Sequence, residues 1–161
     1  MKEQLLEHRK RIIYFILIIV WMIIVFCFSN QNGAESQDTS DTITDKVVQT
    51  VYKSDNIEKK QEIKGVVNFI VRKLAHFTIY FIGGILIFGF LDTFSIKMKY
   101  IIILTIMFGF LYAISDEIHQ LFISDRSARI MDILIDTCGV SLATISRYLI
   151  CKKIGGKNGR N

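Results

Sequence analysis

An all-α, polytopic membrane protein is the fold class this sequence predicts, and three observations carry it. Hydrophobic residues make up 51% of the chain and mean hydropathy is +0.37, yet the apolar residues fall in four blocks instead of at the spacing of a soluble core. Each block approaches the length of a membrane span. Proline is absent, so no span is expected to carry a proline kink.

The first block, residues 12–28, is an unbroken run of 17 apolar residues. At about 1.5 Å per residue it makes roughly 25 Å of helix, just long enough for the hydrocarbon layer. Arg9, Lys10 and Arg11 precede it as they would a signal peptide, but no small-x-small cleavage site follows. Ile24, Val25 and Phe26 before Cys27 are too bulky for lipoprotein processing, so an uncleaved anchor is expected.

Residues 29–73 lack Gly/Ser linker character and are too few for a domain with its own core. Ser40 is placed to cap a helix whose Ile43, Val47, Val48 and Val51 share one face. A second helix, from about Ile57, carries Ile63, Val67, Ile70 and Leu74 at 4-3-4 spacing and is predicted to run straight into the second span. Two dispositions fit equally: amphipathic helices on the membrane surface, or a cap packed on the bundle. The remaining spans are predicted at 74–91, 100–114 and 130–150, the whole of 1–161 forming a single membrane domain.

Cys27, Cys138 and Cys151 are odd in number, lie in apolar or membrane-edge contexts and have no metal-site spacing. They are read as small hydrophobes, and neither a disulfide, a metal nor a cofactor is expected.

Basic residues set the expected orientation. Four precede span one, two lie between spans two and three and five lie at the C-terminal end from Arg147 on, which makes eleven on one side against nine on the other. Position decides: four cations precede span one, and none follows it until Lys46. Both termini are therefore expected in the cytoplasm, with 29–73 and the short 115–129 connection outside. Arg72 and Lys73 run against the trend by flanking span two on the outer side.

Polar residues form stripes on three spans. Residues spaced alternately by three and four share a helix face. Lys73, His76, Tyr80 and Gly83 do so in span two, with Arg72 joining His76 and Tyr80; Thr105, Gly109, Tyr112, Asp116 and His119 do so in span three. In span four the stripe is Arg129, Asp132, Asp136, Gly139, Ala143 and Ser146. An unpaired charge at the bilayer centre costs roughly 2.5–3.5 kcal/mol or more, so Asp132 and Asp136 need a reason to be there. Small residues let helices approach and polar faces turn inward, which predicts a shared cavity open outward, with Asp136 about 10 Å below Arg129.

Two kinds of chemistry fit such a cavity. Arg72, Lys73, Arg126 and Arg129 suit a phosphate or carboxylate headgroup whose tail lies between helices. His76, Asp116, Glu117, His119, Asp132 and Asp136 have the donor types for a divalent ion or for general acid–base work, but neither HExxH nor a zinc-type pair is present. Structural alternatives stand beside these. A lone His76 near a helix end most often bonds a carbonyl, Arg129 and Asp132 have the spacing of an i, i+3 ion pair, and Tyr80, Tyr112 and Gln120 are common interfacial types.

The pattern resembles the VanZ-like family of small bacterial membrane proteins. The resemblance rests on Ser29-x-Gln31 with a following Ser36, on Arg72-Lys73-x-x-His76 with Tyr80, and on Tyr112-Ala-x-x-Asp116-Glu117-x-His119-Gln120 followed by Arg126, Asp132, Asp136 and Gly139. Two departures stand out: Ser124 and Asp125 replace the family's frequent Pro-Gly before Arg126, and Asp136 stands where Asn is common. A glycine-free loop is expected to be less able to take left-handed backbone. The resemblance implies a multi-pass protein of the bacterial plasma membrane that lowers susceptibility to teicoplanin, a lipoglycopeptide acting outside the cell. Its expected partner is a membrane lipid, a lipid-linked cell-wall intermediate or teicoplanin itself, held by Arg72, Lys73, His76, Tyr80, Asp116, Glu117, Gln120, Arg126, Arg129, Asp132 and Asp136. No nucleic-acid partner is expected, and the sequence specifies no oligomeric state. The rival expectation is a membrane enzyme, a hydrolase or transferase of a lipid-linked envelope substrate, with Asp116, Glu117 or Asp132 as base and His76 or His119 carrying the proton. No nucleotide or coenzyme A motif supports a transferase. A sensor or partner-binding subunit is a weaker third reading, since the stripes could also bury another protein's helix.

Overall fold

The computed structural model describes residues 2–31, 33–51 and 57–155, the side chains of 3, 33–37, 39, 51, 58, 154 and 155 apart. It is all-helical: α1 (Lys2–Ser29), α2 (Gly33–Val51), α3 (Ile57–Asp92), α4 (Met98–Gln120) and α5 (Ile130–Gly155), with no strand among the described residues. Four of these helices, all but α2, are long and apolar enough to cross a membrane.

The distribution of side chains is inverted relative to a soluble protein. Glu117, Asp136, Thr105 and Thr144 are buried, whereas Phe15, Ile23, Ile103, Leu111, Leu134 and Ile145 are exposed on the flanks of the four long helices. Such an arrangement is stable only where the surroundings are themselves apolar. Buried threonines meet that constraint by bonding back within their own helix: Thr105 Oγ1 donates to the Ile101 carbonyl (2.7 Å) and Thr144 Oγ1 to Val140 (2.8 Å).

As the 4-3-4 spacing predicts, α3 enters its apolar span without a break. Its 36 residues make roughly 54 Å of helix, well beyond the ~30 Å hydrocarbon layer. α3 is the hub of the bundle, packing most extensively on α5 and also on α1, α2 and α4. Close approach is possible because a Cβ on Gly139 would lie 2.5 Å from the Phe77 carbonyl oxygen, and one on Gly84 would lie 2.8 Å from Ala143 Cβ.

α2 packs on α3 by a face that shares Val48 with the expected one. Ser40, Thr44 and Val48 are buried, while Ile43 and Val47 are exposed; the Val51 side chain lies outside the described residues. Polar contacts to α3 flank this seam: Asn68 Nδ2 donates to Asp41, and Lys64 reaches Asp45 (2.9 Å) and Asp41 (3.5 Å). α2 therefore caps the bundle and still presents apolar residues outward.

α4 also runs further than its apolar block, to Gln120, so Asp116, Glu117 and His119 stand on helix and the connection to α5 shrinks to 121–129. That turn corrects the expectation for a glycine-free loop. Asp125 takes φ 59°, left-handed backbone that Asp tolerates better than most side chains.

Each end of the bundle has an arginine strap. At one, the Arg11 guanidinium donates to the Thr93 carbonyl (3.0 Å) and lies 3.9 Å over the Phe94 ring, tying α1 to the α3–α4 turn. At the other, beside α2, Arg126 donates to the carbonyls of Gln31 (3.1 Å) and Phe28 (3.3 Å). There it closes the C-terminal end of α1, where carbonyls lack helical partners.

Candidate functional site

The polar stripes do meet, at the α2 end. A cavity of about 230 Å³ is walled by Val25, Phe28, Ile43, Val71, Ala75 and Ile79, with Arg72, His76, Tyr80, Asp116, Gln120 and Arg126 as its polar members. A wider depression of about 710 Å³ adjoins it, bounded by Lys64, Lys73, Arg129 and Asp132. Arg72, His76, Gln120 and Arg126 belong to both.

On one side the polar groups form a chain. Arg126 donates to Gln120 Oε1 (3.4 Å), whose Nε2 in turn donates to Asp116 Oδ2 (3.2 Å). Burial, and then the nearby Arg72 guanidinium, push the Arg126 pKa down, although an arginine remains charged. Ser29, buried at the end of α1, faces the Asp116 carboxylate. Gln31 joins it in the cavity wall, whereas the Ser36 side chain lies outside the described residues.

Deeper still, Asp136 is fully buried and His76 Nδ1 lies 3.5 Å from its Oδ1. His76, Asp116 and Asp136 each offer one ligand atom within 4.8 Å of the others, so three donors from α3, α4 and α5 converge. One helical turn below, Trp21, Tyr80 and Tyr112 form an aromatic layer, with Trp21 edge-on to Tyr80 at 5.7 Å and 5.0 Å from Tyr112. Trp21 Nε1 donates to the Ile79 carbonyl (2.8 Å) and the Tyr112 hydroxyl to that of Met22 (2.9 Å). The Tyr80 hydroxyl is buried with no hydrogen-bond partner among the described residues.

Other residues with candidate roles turn out to hold the scaffold. Glu117 Oε2 accepts the Arg129 backbone N–H (2.7 Å), so this carboxylate from α4 closes the N-terminal end of α5. Asp132 pairs with Lys73 of α3, not with Arg129 as their i, i+3 spacing allows; Arg129 points out to Ser127 Oγ (3.5 Å). The His119 ring stacks on Phe26 at 4.7 Å and lines neither cavity. Arg72 is the cation left over, with no hydrogen bond or ion pair among the described residues. Sequence reasoning missed Trp21, although the chain's single tryptophan in the middle of a lipid-length run was a signal.

Four membrane-length helices enclosing a polar cavity near one end, with a histidine and two acids converging from three of them, define a helical multi-pass membrane protein with an internal site. The chain matches the VanZ/LLP1 family model over residues 14–151, most of its length, and belongs to that family. No curated protein and no solved structure matches it.

Proposed function

We propose that this VanZ-like protein lowers the susceptibility of a bacterial cell to teicoplanin by holding an anionic amphiphile in the cavity at the α2 end, with that end facing outside. One observation carries the reading: the cavity pairs an apolar wall of Val25, Phe28, Val71 and Ile79 with a guanidinium, Arg72, that has no ion pair among the described residues. An acyl or polyprenyl chain suits the wall, and a phosphate or carboxylate suits Arg72. A membrane lipid, a lipid-linked cell-wall intermediate and the antibiotic's own acyl chain share this chemistry. Expression in a susceptible host distinguishes them. Protection against teicoplanin but not against a glycopeptide without an acyl chain points to the drug's chain; equal protection against both excludes it and leaves the lipid or intermediate. Arg72→Gln, which removes no hydrogen bond or ion pair among the described residues, is expected to lower protection at least several-fold with unchanged membrane level, and undiminished protection would count against headgroup binding.

A second reading has an observation of its own, the convergence of His76, Asp116 and Asp136 beside the cavity. It is an integral-membrane hydrolase or transferase acting on a lipid-linked envelope substrate, with Asp116 as base and His76 as proton carrier. Asp116→Asn would then abolish protection while Arg72→Gln only weakens it.

A further inference from the structure

We infer that His76, Asp116 and Asp136 form a binding site for one divalent transition-metal ion. Most of the acids and cations around the cavity are already engaged. Asp132 is paired with Lys73, and Glu117 closes the N-terminal end of α5. Arg126 is committed to backbone carbonyls and to Gln120. That leaves Asp116 and Asp136 among apolar helices with no lysine or arginine bonded to either and only the His76 imidazole beside them, and buried charges are tolerated when they are paired or coordinate a metal. A divalent ion with neutral His76 balances both at once.

Geometry supports the same conclusion. Asp136 is 0% exposed, and neither of its carboxylate oxygens has a hydrogen-bond partner among the described residues. Tyr80, also 0% exposed, has an unpartnered hydroxyl beside the two acids. His76 Nδ1 and Asp136 Oδ1 stand 3.5 Å apart without forming a hydrogen bond. Two ligands each ~2.0–2.1 Å from a tetrahedral ion lie roughly 3.4 Å apart, so the separation is that of donors flanking an ion. The three ligand atoms fall within 4.8 Å of one another, one from each of three helices.

The donor set, one imidazole and two carboxylates, suits Zn²⁺, Mn²⁺ or Fe²⁺ and lacks the thiolates that would favour a softer ion. Because His76 and Asp116 also line the cavity, an ion held here would keep a coordination position facing it, available to water or to an anionic oxygen. The site is independent of the proposed resistance function, since the ion would be bound whether or not protection is observed.

The test uses the full chain, purified in detergent with a tag that binds no metal, stripped with a chelator and titrated with Zn²⁺, Mn²⁺ or Co²⁺ alone. About one equivalent is expected to be retained, with a rise in the unfolding midpoint and, for Co²⁺, visible d–d bands. Asp136→Asn and His76→Gln should each weaken binding at least tenfold and abolish the bands, whereas Glu117→Gln and Asp132→Asn should retain both. Because the Co²⁺ bands report coordination directly, a variant that elutes as folded protein is decisive on either side. The inference is overturned if wild-type protein retains no ion, or if folded His76→Gln binds as tightly as wild type with the same spectrum.

Discussion

Glu117 shows how far residue type alone can mislead. An acid between two apolar helices has the makings of a general base, yet its Oε2 is occupied by the Arg129 N–H. A hydrogen bond to a charged group contributes about 1.5–3 kcal/mol, and an amide oxygen can replace the carboxylate as acceptor. Glu117→Gln is therefore expected to keep protection and lose less than about 1 kcal/mol, whereas Glu117→Ala loses about 1.5–3 kcal/mol. Thermal unfolding in detergent measures both; loss of protection in a fully stable Glu117→Gln would restore Glu117 as a reacting group. Helical spacing placed His76, Tyr80, Asp116 and Asp136 correctly because periodicity specifies which residues share a face. It does not specify partners across helices, which depend on how each helix is rotated and raised against its neighbours. For that reason Asp132 and Lys73 were each legible as inward-facing while their pairing was not.

At the scale of elements, the apolar runs locate the helices and the polar turns determine where they stop. α4 overruns its hydrophobic block because Asp116 is bonded by Gln120 within the helix, and Gln120 and Glu117 find partners in Arg126 and Arg129 beyond it. α2 illustrates the opposite failure. Of its valine and isoleucine pattern only Val48 is seen to turn inward among the described side chains, joined by Ser40 and Thr44, while Ile43 and Val47 stay exposed. The α3–α5 seam depends on Gly139, where any side chain would meet the Phe77 carbonyl. Gly139→Val is expected to destabilise by about 1–3 kcal/mol through overpacking. Gly65→Ala in the same long α3 meets nothing within 4 Å and is expected to be neutral or to stabilise by up to about 1 kcal/mol. Midpoints of thermal unfolding distinguish the two; equal effects would mean that the seam is not packed as described.

For the whole molecule, inverted burial establishes what kind of solvent the four long helices meet, and the cation count proposes which way they point. In a cysteine-free background, Lys60→Cys is expected to react with a membrane-impermeant maleimide applied to intact cells, and Lys153→Cys only after lysis. The reverse pattern would place the cavity on the cytoplasmic side and remove the basis for the teicoplanin reading. The layer of Trp21, Tyr80 and Tyr112 has a further consequence for traffic through the bundle. These rings lie across the cavity's floor, and the indole N–H and the Tyr112 hydroxyl are bound to backbone carbonyls, so neither is left free to pass a proton or an ion toward the Arg11 strap. On the proposed reading, an anionic headgroup that enters beside α2 would leave by the same mouth, and the bundle would serve as a receptacle closed at its base by three rings.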